Sequence, residues 1–105
     1  MSRRRIDFAD LDWEIPLPGA RFKRHAGDGR VVRLIEFTED LVEPDWCRKG
    51  HVGYVVDGRL TIDFPDGPVV YETGDALLIE AHEADRHMAR VGPGERALLF
   101  MVEEE

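Results

Sequence analysis

Short apolar segments separated by turn-forming residues run through most of this chain. In the segment 59–64, Leu60, Ile62 and Phe64 alternate with polar residues, which predicts a strand with one buried and one solvated face. Residues 97–102 are apolar throughout. A strand that is apolar on both faces needs cover on both faces, from a second sheet or from a second copy of the chain.

Glycine-rich turn signals separate these segments. Gly27-Asp28-Gly29 predicts one hairpin, and Asp57-Gly58, a dipeptide suited to a type I′ turn, predicts another. About eight short strands at close spacing indicate an all-β sandwich or barrel. The predicted strands are residues 21–25, 30–37, 51–56, 59–64, 69–71, 76–79, 88–91 and 97–102.

The two ends of the chain differ from this central region. Residues 1–19 carry scattered apolar residues among aspartates and prolines, which predicts an irregular N-terminal arm. Residues 103–105 are three glutamates and are interpreted as a solvated acidic tail. The expected organisation is therefore one domain, with its barrel in residues 20–102.

Composition excludes several function classes. A formal net charge of -8 argues against a nucleic-acid partner. The absence of a long apolar stretch argues against a membrane partner and predicts a soluble, cytoplasmic protein. The only serine is Ser2, which argues against a serine nucleophile, and no phosphate-binding glycine loop is present.

The only cysteine of the chain lies close to a histidine and a carboxylate. Asp45, Cys47 and His51 share odd parity, so an extended chain would point all three side chains to one side. On a straight strand, Cys47 and His51 would stand about 13 Å apart, too far to share an ion. The chain must therefore bend at Gly50 if these residues form one site.

This region resembles the first motif of the cupins, commonly written G(X)5HXH(X)3,4E(X)6G. Asp45, Cys47 and His51 stand at the ligand positions and Gly58 at the final glycine, although the leading glycine is replaced by Glu39. The second cupin motif, G(X)5PXG(X)2H(X)3N, begins at Gly74 and continues into an apolar strand. Its later part departs from the pattern, with Glu80 at the proline, His82 at the second glycine and Val91 at the asparagine, and with His87 two residues beyond the histidine.

The resemblance implies a small single-domain cupin, a β-barrel of the jelly-roll or double-stranded β-helix type. It implies a divalent transition metal (zinc, iron, manganese or nickel) near the wide mouth, held by Cys47, His51 and His87, with Asp45 as a fourth ligand. Thiolate and imidazole also suit zinc, copper or ferrous iron on chemical grounds. Cupins usually pair through apolar strands such as residues 98–102, so a homodimer is expected.

Three function classes remain open. The protein acts on a small organic molecule with a bound metal, or it holds a small ligand without chemistry, or it is a metal-free protein with Cys47 as nucleophile and a histidine as base. The catalytic residues are not assigned by the pattern. Unplaced candidates for a general acid or base are Glu36, Glu80, Glu83 and Asp85.

Overall fold

A computed structural model describes residues 4–104 of the chain. Its secondary structure is almost entirely β, with two 3₁₀ turns, Phe8–Asp10 and Glu83–Asp85. None of the helices among these residues is long and apolar enough to cross a membrane. The strands are β1 (Glu14–Leu17), β2 (Ala20–Gly27), β3 (Arg30–Thr38), β4 (His51–Phe64), β5 (Gly67–Glu72), β6 (Ala76–Ile79), β7 (Met88–Arg90) and β8 (Arg96–Glu104).

The strands form a curled antiparallel sheet in the order β1-β2-β3-β8-β4-β5, with β6 and β7 also paired to β4. This arrangement confirms the all-β prediction. Each long strand contributes alternate residues to one core: β8 contributes Ala97, Leu99 and Met101, and β4 contributes Val55, Leu60 and Ile62. Such alternation lets one face of a strand be buried while the other faces outward.

The segment 51–64 differs from its prediction. The hairpin expected at Asp57-Gly58 is wrong, because residues 51–64 form the single strand β4. The register of β4 against β8 shifts between Val55 and Asp57, which marks a β-bulge. Gly58 follows this bulge and has a φ of 97°. Glycine is needed at this position because its φ lies in the left-handed region and an added Cβ would clash with the carbonyl oxygen of Arg96. The first part of β4 pairs with β6 and with β8, the latter as far as Gly58, and the part from Arg59 onward pairs with β5 and β7.

The turn at Gly27-Asp28-Gly29 is the hairpin that the sequence predicts. It joins β2 to β3, which pair in register over their whole length. Asp28 and Gly29 have φ values of 56° and 74°, the left-handed pair that a type I′ turn requires.

The ends of the chain are more ordered than their composition predicts. Part of the expected arm, Glu14–Leu17, is strand β1 and pairs with β2. At the other end, β8 runs on to Glu104, and only 9% of the Glu103 side chain is exposed. Glu103 is therefore not solvated as predicted, because the partly buried Arg33 and the buried His51 compensate its charge. Glu105 lies outside the described residues.

The apolar strand β8 is covered on both faces only in part. Its inward residues are buried, whereas Leu98, Phe100 and Val102 face outward and are half-buried. Phe8, in the N-terminal segment, packs edge-on against Phe100 with ring centroids 6.3 Å apart. Part of the outer cover thus comes from the chain itself.

Candidate metal centre

Cys47 and His87 are held side by side by their backbones. The amide of Cys47 donates to the carbonyl of His87 at 2.8 Å, and the amide of His87 donates to the carbonyl of Cys47 at 2.9 Å. This isolated antiparallel bridge joins the loop before β4 to the residue before β7. Directly paired residues carry their side chains on the same face of a ladder, so both side chains enter the barrel together.

His51 is the first residue of β4, and its imidazole completes the cluster. Its Nε2 atom lies 3.6 Å from Sγ of Cys47. The chain between the two residues therefore bends, as a shared site requires. Gly50 packs tightly here, because an added Cβ would stand 3.1 Å from the amide nitrogen of Ala81. Its role is this close approach, since its φ is not in the left-handed region.

The ligand atoms of Cys47, His51 and His87 all lie within 4.8 Å of one another. Both histidines are buried, with 7% and 4% of their surface exposed. Their rings meet edge-to-face with centroids 4.9 Å apart. Among residues 4–104, this is the one group of three or more potential ligands close enough to hold an ion.

The Nδ1 atom of each histidine already has a partner. Nδ1 of His87 donates to the backbone carbonyl of Asp85 at 2.9 Å. Nδ1 of His51 faces the carboxylate of Glu103 at 2.5 Å, off the direction of a straight hydrogen bond. A proton held on Nδ1 leaves Nε2 as the free ligand atom, which is the usual arrangement behind a metal-binding histidine.

Glu103 is itself held in place by Arg33. One guanidinium nitrogen of Arg33 lies 2.6 Å from the Glu103 carboxylate, and the same guanidinium stacks on Phe22 at 5.2 Å. The sheet register explains the contact, because Glu103 pairs with Val31 on β3 and lies one step beyond the Val52–Val102 pair on β4. A row of charged groups therefore crosses three strands on the inner face.

The charges of this row shift the pKa values of its members. Hydrogen bonds from His51 and His87 lower the pKa of the Cys47 thiol to about 5. Burial disfavours charge on His51, but Cys47 and Glu103 outweigh it and raise the His51 pKa to about 9. Burial likewise opposes ionisation of Glu103, yet His51 and Arg33 lower its pKa to about 2. Without a metal, the cluster is therefore a thiolate beside an imidazolium at neutral pH.

The cluster forms part of the wall of a cavity of about 240 Å³ inside the barrel. Glu43, in the loop before Cys47, is half-buried and also lines this cavity. Burial raises the pKa of Glu43, an effect that the Ala89 amide opposes and the nearby Cys47 reinforces. Within the described part of the chain, Glu43 is thus the one carboxylate in the cavity wall.

The structure does not bring Asp45 to the cluster. Its side chain is exposed, and Oδ1 accepts a hydrogen bond from the adjacent Trp46 amide at 2.7 Å. The shared parity of Asp45 and Cys47 fails as a guide because the chain bends at residues 44–45 and the alternation of an extended strand is lost.

The unplaced acids of the sequence also lie away from the cavity wall. Glu36 pairs with Arg21 and Arg96, and Glu83 pairs with Arg48. Glu80 is exposed. Asp85 contributes its backbone carbonyl to His87 rather than its carboxylate.

Glu103 and Glu43 are the site residues that the sequence analysis missed. For Glu103 a signal was present, because the inward positions 97, 99 and 101 of β8 continue by alternation to 103. Glu43 lies in a loop where no periodic pattern applies, so only the folded chain shows its position.

Solved structures with the same fold include three at high similarity. The polyketide cyclase RemF from Streptomyces resistomycificus shares 21% identity at a TM-score of 0.81, covering 99% of this chain and 80% of that one. An RmlC-like cupin from Shewanella frigidimarina shares 19% sequence identity at a TM-score of 0.76, and the match covers 98% of this chain and 91% of that one. A sugar phosphate isomerase of the cupin superfamily from Silicibacter pomeroyi shares 14% sequence identity at a TM-score of 0.77, and the match covers 96% of this chain and 75% of that one.

These likenesses show that the chain has the fold of a small cupin, as the sequence motifs predict. No protein-family model matches the sequence, and no curated protein matches it.

Proposed function

We propose that this protein binds a divalent transition-metal ion through Cys47 Sγ, His51 Nε2 and His87 Nε2. The observation that carries the proposal is the convergence of these three atoms within 4.8 Å at the wall of a cavity. An ion with bonds of about 2.0–2.3 Å brings its ligand atoms to about 3.5 Å from one another. The distance from Cys47 Sγ to His51 Nε2 is already 3.6 Å, so only small side-chain rotations are needed to bring His87 Nε2 to the same separation.

The donor set favours a borderline or soft ion. One thiolate with two imidazoles suits zinc or ferrous iron better than manganese, which prefers oxygen ligands. Three protein ligands leave at least one position open, the usual state of a catalytic rather than a structural zinc site. Glu43 is the carboxylate placed to approach that open position, whereas Asp45 is exposed.

Because all three ligand residues line the cavity, we infer that a small organic molecule binds there. A bound ion would act as a Lewis acid on an oxygen of that molecule. The names of two structural neighbours, a polyketide cyclase and a sugar phosphate isomerase, support a small-molecule substrate. The free thiol of Cys47 suits a reducing compartment and supports a cytoplasmic location.

A second candidate function is supported by the row from Cys47 through His51 to Glu103. A thiol, an imidazole and a carboxylate in contact are the arrangement of a cysteine nucleophile with its base and the group that orients the base. The lowered pKa of Cys47, about 5, fits this reading. In that case the chemistry would need no metal.

Alkylation of Cys47 separates these two functions. If Cys47 ligates an ion, iodoacetamide should react slowly with the protein as purified and faster after treatment with a chelator, because coordination occupies the sulfur lone pair. Reaction is followed by mass spectrometry of the intact chain. An alkylation rate that ignores the chelator but rises with pH through the titration of the Cys47–His51 pair would support the metal-free nucleophile instead.

We also propose that the protein is a homodimer that buries the outer face of β4 and β6. Val52, Tyr54 and Leu78 are 55%, 49% and 81% exposed, and Val52 pairs directly with Leu78. Contiguous apolar surface of this kind favours association.

Sedimentation should therefore give a dimer at tens of micromolar, a concentration typical of modest homodimers. The Leu78→Lys variant should shift the protein toward monomer. The control is Val70→Lys, at an exposed position of β5, which should remain a dimer. A wild-type monomer under these conditions would contradict the proposal.

A further inference from the structure

The wall of the cavity is mostly apolar, and its polar residues are the cluster, Glu43 and two arginines. Thirteen of its nineteen lining residues are apolar, including Leu60, Ile62 and Leu77. Among residues 4–104, no serine, threonine, asparagine, glutamine, tyrosine or lysine contributes to this lining. A polyhydroxylated ligand would therefore lose its hydrogen bonds to water without regaining them, which opposes binding.

The cationic side chains of the wall are already paired. The Nε atom of Arg21 lies 2.8 Å from Glu36, and its guanidinium stacks on Trp13 at 4.1 Å. Arg33 pairs with Glu103 at 2.6 Å. A phosphate group would have to compete with these carboxylates for the arginine side chains of the wall.

The remaining polar groups of the wall lie near one another. Glu43, Cys47, His51 and His87 are close enough to influence one another's charge, whereas the apolar residues come from several strands of the barrel. The cavity therefore offers a polar site near the cluster for the oxygen atoms of a ligand and an apolar surface for its carbon atoms.

We propose that the ligand is a compact, largely apolar molecule, aromatic or aliphatic, with its oxygen atoms confined to one end, and that sugars and sugar phosphates are not ligands. The oxygen end lies against the Cys47–His51–His87 cluster, so this inference rests on the proposed metal site. The apolar body packs against β4 and β6, and removal of its surface from water drives binding.

The test uses the full-length protein with its metal content measured beforehand. The probe is 2-naphthol, a bicyclic phenol whose own fluorescence reports transfer to an apolar site, and the comparison ligand is glucose 6-phosphate. The expected result is saturable binding of 2-naphthol and no displacement of it by glucose 6-phosphate in large excess. Displacement by the sugar phosphate, or its tighter binding in calorimetry, would overturn the inference.

A matched pair of variants locates the binding. Leu77 lines the cavity and is 1% exposed, whereas its neighbour Leu78 points outward and is 81% exposed. Leu77→Phe fills the cavity and should weaken 2-naphthol binding by roughly ten-fold. Leu78→Phe should leave it unchanged. Equal binding by both variants and the wild type would place the probe on the outer surface and overturn the inference.

Metal content separates this inference from the proposed function. Apolar selectivity with no metal in any preparation would contradict the metal site and leave the ligand class supported. Stoichiometric metal without selectivity for the apolar ligand would support the metal site and contradict the ligand class. The wild-type comparison of the two ligands decides the ligand class even if Leu77→Phe fails to fold.

Discussion

The His51→Ala variant is expected to lose most of the metal that the wild-type protein retains after purification without a polyhistidine tag. Removal of one of three ligands eliminates a coordinate bond and also leaves the carboxylate of Glu103 without its imidazole partner. Loss of even an outer partner of a ligand typically weakens metal binding by roughly 10–100-fold, and loss of the ligand itself should exceed this. Metal per chain is measured by inductively coupled plasma mass spectrometry.

Two further variants make this result specific. His87→Ala should lose metal to a similar degree, since His87 contributes the second imidazole. His25→Ala removes an exposed histidine on β2 and should retain the wild-type content. Equal metal in all four proteins would remove the histidines from the ligand set.

The Glu103→Gln variant tests the group behind His51. Glutamine keeps the shape of the side chain but removes the charge that pairs with His51 and Arg33. Breaking a buried ion pair by neutralising one partner typically lowers the free energy of unfolding by about 3–5 kcal/mol. Metal affinity, measured by competition with a chelator, should fall by roughly 10–100-fold, because Nδ1 of His51 loses the acceptor that orients it.

The matched control is the next residue along β8. Glu104 is exposed, so Glu104→Gln makes the same chemical change on the solvated side of the strand and should alter stability by less than about 0.5 kcal/mol. If the two variants behave alike in denaturant unfolding, Glu103 does not position His51.

The stability difference between wild type and Glu103→Gln should also depend on pH in the metal-free protein. The pKa of Glu103 falls from 4.5 to about 2 on folding, so its contribution is complete above pH 4.5 and is lost as pH falls toward 2. The pKa of His51 rises from 6.5 to about 9, so its contribution is complete below pH 6.5 and is lost as pH rises through 9. The difference should therefore be largest between pH 4.5 and 6.5.

The sequence by itself determined the fold class and the three residues that meet at the site. Alternation in residues 59–64 and the continuous apolar run 97–102 predicted strands because side chains on a strand alternate faces. The spacing of Cys47, His51 and His87 resembled cupin motifs, and these are the residues that the fold brings within 4.8 Å. Such information is local, or is carried by motif spacing, and needs no knowledge of which strands pair.

Only the tertiary structure decided how the site is supported and what faces it. Asp57-Gly58 has the composition of a turn, but pairing of β4 with β8 up to Gly58 and with β5 from Arg59 onward keeps both residues inside one strand. Glu103 has the composition of a solvated tail, but its register beside His51 and Arg33 compensates its charge and buries it. Asp45, the expected fourth ligand, is exposed because the chain bends at residues 44–45, whereas Glu43, to which the sequence assigned no role, lines the cavity. Each of these outcomes depends on contacts with residues distant in the sequence. The free energy of those contacts outweighs the local preference of the residues for a turn, a tail or a strand.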